Sequence, residues 1–425
     1  MIYFIKNKIN SLKNKYFLNS IFFFIFILIF IYGIGHIYTN KYFSNYSFSE
    51  LFINYQSGFI RRGLLGEIFW QINSFFNINP KFFFGLIFLF LNITQLFLYF
   101  KILSFYKNKF LLIIYIVFFP SLLLFGIYDH KVYLLKDIFV KISILIHAFI
   151  IIYLKHCKKK EIYCTFLVYL IIPLLVIVSL IHEYQVIFLS IHILFSYYYF
   201  KNYLKKKIYY LKSYFILLIL SILLIYFNGS EEQYIYLNEI IKKYNAEIHP
   251  QLFNGFYKLI GGFYKWHFFY FGYKDFINLF FSIILSLLIP ACIFHKIINK
   301  HKFNSYYYLF FLPTLLTFLN LDHGRNISLL CVHLILFYLV IGIDNKKYTI
   351  LINKIKRSSH LLLLTFLFLF FHIFLWKLDQ YAGFGGKEQI NSIFQSSLFK
   401  EISNFIKFIY NFIDLNIFNL PEIKL

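Results

Sequence analysis

The chain has 425 residues, of which 60% are apolar, 24% aromatic and only 14% charged, with a formal net charge of +24. A mean hydropathy of +0.68 excludes an ordinary soluble domain. The excess of lysine does not indicate nucleic acid, because it collects in loops between apolar runs of about 20 residues, the length that crosses a bilayer.

The N-terminus carries Lys6, Lys8, Lys13 and Lys15 ahead of a long apolar run. That run is too long for a signal peptide and lacks a small-residue cleavage site, so it reads as a retained anchor helix. The expected spans are roughly 17–37, 82–101, 110–128, 138–154, 163–181, 184–200, 213–227, 276–295, 306–320, 327–343 and 358–377. The fold class is therefore all-α: a polytopic integral membrane protein with about 11 transmembrane helices. The loops 101–109, 155–162, 201–212, 296–302 and 344–357, with the N-terminus, hold more than half of the basic residues and only two acids, Glu161 and Asp344. By the positive-inside rule they face the cytoplasm. The N-terminus is then inside and the C-terminal tail outside.

Two units follow: a transmembrane domain, 1–377, and an outer-face amphipathic tail, 378–425. Within the first, the outer segments 38–81 and 228–275 form a cap, since 48 residues between spans usually build structure of their own. The expected location is the cytoplasmic (inner) membrane of a bacterium.

Nearly every conspicuous polar group falls on the outer side. Only four of the 42 basic residues are arginine. Arginine's planar fork binds phosphate or carboxylate bidentately, which lysine cannot do. Arg61 and Arg62 lie among Gly58, Gly63 and Gly66 in the first outer segment, a pattern suited to an anion such as a lipid diphosphate. Snorkelling to lipid headgroups is the alternative. Arg325 lies in the knot Asp322-His323-Gly324-Arg325-Asn326, where Asp322 can orient the same anion or take a proton, or simply pair with Arg325. Arg357 is explained by orienting charge.

His182-Glu183 occupies a turn of almost no length between two apolar runs. Desolvation there is expected to raise the Glu183 carboxyl, suiting it to general acid or base work; a helix-capping pair is the plainer alternative. Asp129, Lys136 and Asp137 border the fourth span. Lys136 can add charge to an anion site, and Asp137 suits a helix N-terminus. Glu67, like Glu50, is an acid able to reach a ligand on the arginine pair. The histidines 147, 192, 333 and 372, lone within apolar runs, read as packing residues. No metal-ligand spacing and no cofactor motif is present, although the outer acids leave a divalent metal open.

Outward arginines, outward acids, a large outer cap and no nucleotide motif together resemble the polytopic surface-glycan assembly enzymes. These are the Wzy-type O-antigen or capsule polymerases and the GT-C-class glycosyltransferases. The resemblance is one of architecture. It implies glycosyl transfer from a polyprenyl-(di)phosphate-linked donor, with Arg61, Arg62, Arg325 and Lys136 on the lipid phosphate and Glu183, His182, Asp322 or Glu67 as the acid or base. Expected partners are a polyprenyl-linked saccharide and anionic lipid, with no nucleic acid. A transporter or flippase of a lipid-linked saccharide is the rival reading, and a non-catalytic membrane protein the third.

Overall fold

The computed structural model describes residues 2–38, 45–106, 109–123, 125, 133–157, 159–227, 229–244, 280–298, 323–370, 378–379 and 383–384. Almost all of these are helical. The first helices are α1 (Ile2–Tyr38), α2 (Asn45–Glu50), α3 (Leu64–Phe76), α4 (Pro80–Ser104), α5 (Phe110–Phe118) and α6 (Asp137–His156). A continuous helical stretch, α7, runs through Lys160–Ile181. After it come α8 (Tyr184–Tyr203), a 3₁₀ segment (Lys205–Tyr214), α9 (Phe215–Tyr226) and α10 (Glu231–Lys242). The remainder are α11 (Phe280–Ile297), α12 (His323–Ile341), α13 (Asn345–Arg357) and α14 (Ser359–Phe370). A two-residue antiparallel pair, β1 (Leu378–Asp379) with β2 (Gly383–Phe384), departs from the all-helical expectation.

Local chemistry accounts for several boundaries. Asn79 caps α4 by accepting from Lys81 N at 2.9 Å, and Pro80 takes the first helical position, where a missing N–H costs nothing. Ser230 and Gln233 form a reciprocal capping box that starts α10. In α7 and α11 a π-helical turn precedes Pro173 and Pro290, absorbing the lost hydrogen bond of each proline.

Seven stretches are long and apolar enough to cross a membrane: Leu18–Gly35, Pro80–Ser104, Asp137–His156, Lys160–Ile181, Lys207–Leu224, Phe280–Ile297 and Gly324–Ile341. The architecture is thus that of a helical multi-pass membrane protein. Four of the eleven expected spans fall outside this set. The apolar run after residue 110 breaks after α5 at Phe118, ahead of Pro120. α8 spans 20 residues but carries Gln185, His192, Ser196 and Lys201. α14 is short, and 306–320 lies outside the described residues. The basic loop 344–357 is itself the helix α13, capped by Asp344. Residues 245–279 and the tail beyond 384 also lie outside them.

Two helices make the centre. α12 is buried along nearly its whole length and α6 along most of it, and the two pack against each other. The periphery turns large apolar side chains outward, including Phe23 and Phe24 of α1, Phe90 of α4, Ile222 of α9 and Leu364 of α14. In a chain of this hydropathy such faces belong against lipid. The C-terminal ends of α4, α6, α8, α11 and α12 gather at one end of the body. There Tyr106 OH donates to Leu339 O, Tyr198 OH to Ile341 O, and Lys347 Nζ to Ile298 O. The expected grouping of the lysine-rich loops is therefore a spatial one. The N-termini of α6, α8 and α12 gather at the other end.

Candidate functional site

Seven described segments of sequence meet at that second end. The loop 51–63 enters it between α2 and α3, and its path depends on two features. Gly66 allows close approach, because a Cβ there would lie 2.1 Å from Ile53 O. Arg62 adopts φ +66°, a conformation that non-glycine residues rarely accept without compensation elsewhere. The loop is pinned to α9 and α10 by Arg61 N donating to Phe227 O at 3.1 Å and Gln233 Nε2 donating to Ser57 O at 3.1 Å.

Compensation for Arg62 is visible in its guanidinium. Nη1 donates to Glu50 Oε1 at 2.9 Å, and Nε donates to Glu183 Oε1 at 2.7 Å. Nη2 also binds Glu183. Arg61 Nη1 stands 3.9 Å from Glu183 Oε1, an ion contact too long for a hydrogen bond. Lys136 is fully buried and donates to two loop carbonyls, Glu50 O at 3.0 Å and Arg62 O at 2.9 Å. It fastens the strained turn at Arg62.

The second half of the cluster is centred on Asp137, the first residue of α6. Arg325 grips it with both ends of the fork, Nε to Oδ2 at 2.7 Å and Nη2 to Oδ1 at 3.0 Å. His182 Nε2 lies 2.9 Å from Asp137 Oδ1, and its Nδ1 stands 3.5 Å from Glu183 Oε2. The turn between α7 and α8 therefore joins the two arginine sites into one network. Tyr184 stacks on His182 at 4.7 Å and lies under the Arg325 guanidinium.

The electrostatics reverse one expectation. Burial would raise the Glu183 carboxyl, but Arg62 and Arg61 outweigh it and hold the group well below its ordinary range. Glu50 is lowered in the same way: burial opposes, and Arg62 and Lys136 prevail. For His182 burial opposes protonation, yet the bonds to Asp137 and Glu183 raise it. Burial lowers Lys136 to about 8, partly offset by Glu50. As it stands, then, Glu183 is an ion-paired anion and not a free base.

Of the residues singled out from sequence, Arg61, Arg62, Arg325, Lys136, Asp137, His182 and Glu183 come together. Glu67 does not. It sits in the first turn of α3 and accepts from Tyr55 N at 3.0 Å and from Gln56 and Gln71, closing its own turn. Arg325 pairs with Asp137 on another helix; Asp322 lies outside the described residues, as does Asp129. His323 begins α12, and Asn326 is buried in its first turn. In the sequence Asp137 offers a helix-terminal charge beside Lys136; its place at the centre of the network follows only from the meeting of α6, α7 and α12. Among the described residues no three His, Cys, Asp or Glu side chains form a metal-ligand set.

Beside the Arg61 loop lies an open groove of about 700 Å³, walled by Phe59, Tyr226, Phe227 and Tyr236 and edged by Ser57 and Glu232. The backbone bond from Arg61 N to Phe227 O ties the loop that carries the arginine pair to the wall of this groove. No family model, no curated protein and no solved structure matches the chain.

Proposed function

We propose that the protein transfers a glycosyl unit from a polyprenyl-(di)phosphate-linked donor at the outer face of the cytoplasmic membrane, in surface polysaccharide assembly. The observation that carries this reading is the convergence of three of the chain's four arginines with His182 and Glu183, next to a groove of aromatic and polar side chains. In this reading the chain crosses the membrane eleven times, with the lysine-rich end inside and the arginine end outside.

The chemistry runs through exchange of anions. An incoming diphosphate displaces Glu183 from Arg62 and Arg61, whose forks suit phosphate as well as carboxylate. Once the arginine charge is neutralised, burial raises the released Glu183 carboxyl. Glu183, with His182 held by Asp137, then takes the proton of the acceptor hydroxyl, while the cations stabilise charge developing on the leaving diphosphate. The ligand thereby creates the base it needs.

A second reading, a transporter of a lipid-linked saccharide, is favoured by polar groups that descend from the cluster between α6 and α12, such as Lys141 Nζ donating to Ser328 Oγ at 2.9 Å. One experiment separates the two. The gene is deleted in the source cell and complemented with wild type, Arg61→Lys or Arg325→Lys. Glycan length is read by gel and lipid-linked intermediates by mass spectrometry. A ladder collapsing to one repeat, or a glycan short by one sugar, unrescued by the Lys variants, supports transfer. Repeat units trapped on the inner leaflet support transport. An unchanged glycan profile overturns both.

A further inference from the structure

The polar groups of the central seam do not stop at the ion cluster. α6 is 20 residues long, about 30 Å, and His147 lies ten residues past Asp137, about 15 Å in and close to mid-depth. There His147 Nδ1 and His192 Nδ1 are 3.0 Å apart. His147 Nε2 lies 2.7 Å from Tyr163 OH, Tyr163 OH 2.7 Å from Ser196 Oγ, and Ser196 Oγ 2.7 Å from Tyr214 OH. Tyr214 OH donates to His192 O at 3.1 Å. All five residues are buried.

The last bond sets the direction of all the others, because a carbonyl can only accept. The one hydrogen of Tyr214 is committed to it, so Ser196 donates to Tyr214. Tyr163 must then donate to Ser196, His147 Nε2–H to Tyr163, and His192 Nδ1–H to His147 Nδ1. This leaves His192 Nε2 as a bare lone pair. His333 Nδ1 donates to Leu329 O at 2.7 Å, so its Nε2 is bare as well. Neither Nε2 has a partner among the described residues, both rings are fully buried, and their centroids are 6.4 Å apart. Helix-bonding polar pairs in membranes satisfy each other. This set instead ends in two proton acceptors with nothing to accept.

Above the histidines, towards the arginine end, stand Lys141 on Ser328, Ser143 donating to Gln185 Oε1 at 2.8 Å, and the Asp137–His182 pair. A cavity of about 20 Å³ bordered by Asn92, Gln95, Asp137 and Lys141 has room for one water. Below the histidines, Tyr163 and Tyr214 stand where helical segments begin at the lysine-rich end. Ionisable groups at this depth mark ion or proton pathways by default.

We propose that the seam of α6, α7, α8, α9 and α12 is a proton relay linking the ion-pair cluster to the lysine-rich end. A proton reaching His192 Nε2 lets the Nδ1 proton pass to His147. His147 hands its Nε2 proton to Tyr163, Tyr163 to Ser196 and Ser196 to Tyr214. The Tyr214 hydroxyl then swings off the His192 carbonyl and releases one proton. Each of the five residues gains one hydrogen and loses one, each imidazole exchanging one N–H for the other, so one proton enters and one leaves. The charged groups above the relay are Asp137, Lys141 and Arg325; among the described residues, those at its lower end include Lys155, Lys160, Glu161 and Lys207. The inference does not rest on the glycosyl-transfer reading.

The test is proton flux into liposomes holding the full-length protein, a trapped pH dye and a valinomycin-set potassium potential. Wild type is expected to move protons faster than protein-free vesicles. Tyr214→Phe, which keeps the ring and its packing, and His147→Gln are expected to fall to the protein-free rate, while the surface change Glu161→Gln keeps the wild-type rate. Unchanged size-exclusion elution and helical circular dichroism qualify each variant as folded. Wild-type flux equal to protein-free vesicles, or Tyr214→Phe as fast as wild type, overturns the relay.

Discussion

The two ends of the helical body handle positive charge in different ways. At the arginine end, Arg62 and Arg325 are locked into carboxylates that belong to other segments of the chain, Arg325 buried and Arg62 half-buried. At the lysine-rich end, ammonium groups lie over aromatic rings or on helix-terminal carbonyls: Lys160 is 4.8 Å from the Tyr203 ring centroid, and Lys155 donates to Val340 O. Guanidinium geometry lets one side chain fix two carboxylates at once, whereas an ammonium on a flexible stem satisfies whatever oxygen or ring is near. The arginine end is therefore a specific assembly, and the lysine-rich end is a collection of independent contacts.

That contrast breaks most sharply at Asp137. Asp137→Asn leaves Arg325 buried beside a neutral amide, and losing one partner of a buried ion pair costs about 3 kcal/mol or more. The expected result is a large fall in the thermal midpoint in detergent; a midpoint within a degree of wild type would mean that the pair is not a structural element.

A smaller effect comes from pH. Glu50 and Glu183 titrate below the ordinary 4.5, so their contribution is complete above that value and is lost as pH falls towards their folded values. His182 titrates above the ordinary 6.5, so its contribution is complete below 6.5 and is lost as pH rises through its raised value. Stability of the arginine end is therefore expected to peak between about pH 5 and 6.5. Midpoints measured from pH 4 to 8 should trace that maximum, and Glu183→Gln should flatten its acid side.

The smallest effect is expected at the opposite end. Glu161 and Lys207 form an exposed pair. Such pairs contribute little because water screens them and two long side chains must be ordered. Glu161→Gln should leave the midpoint unmoved. A shift comparable to that of Asp137→Asn would erase the distinction between the two ends.

Much of this molecule could be read from the chain itself. Apolar runs of bilayer length gave the helical membrane class, because backbone groups in lipid must be satisfied within the helix. The lysine asymmetry gathered the basic loops at one end. The scarcity of arginine singled out Arg61, Arg62 and Arg325 before any contact was known. What the sequence could not supply was pairing. Asp137 lies 188 positions from Arg325, and Glu183 lies 121 positions from Arg62. No local spacing encodes such neighbours. Nor could it set Glu183's charge state, since burial and two arginines act in opposite directions and only their distances decide which prevails. Glu67 looked equivalent to Glu50, yet one closes its own turn and the other joins the cluster. Apolar run length gave the helical class, and charge gave the gathering of the basic loops. Helix packing alone decided which ions meet, because Coulomb attraction and hydrogen bonding act over a few ångströms and do not register distance along the chain.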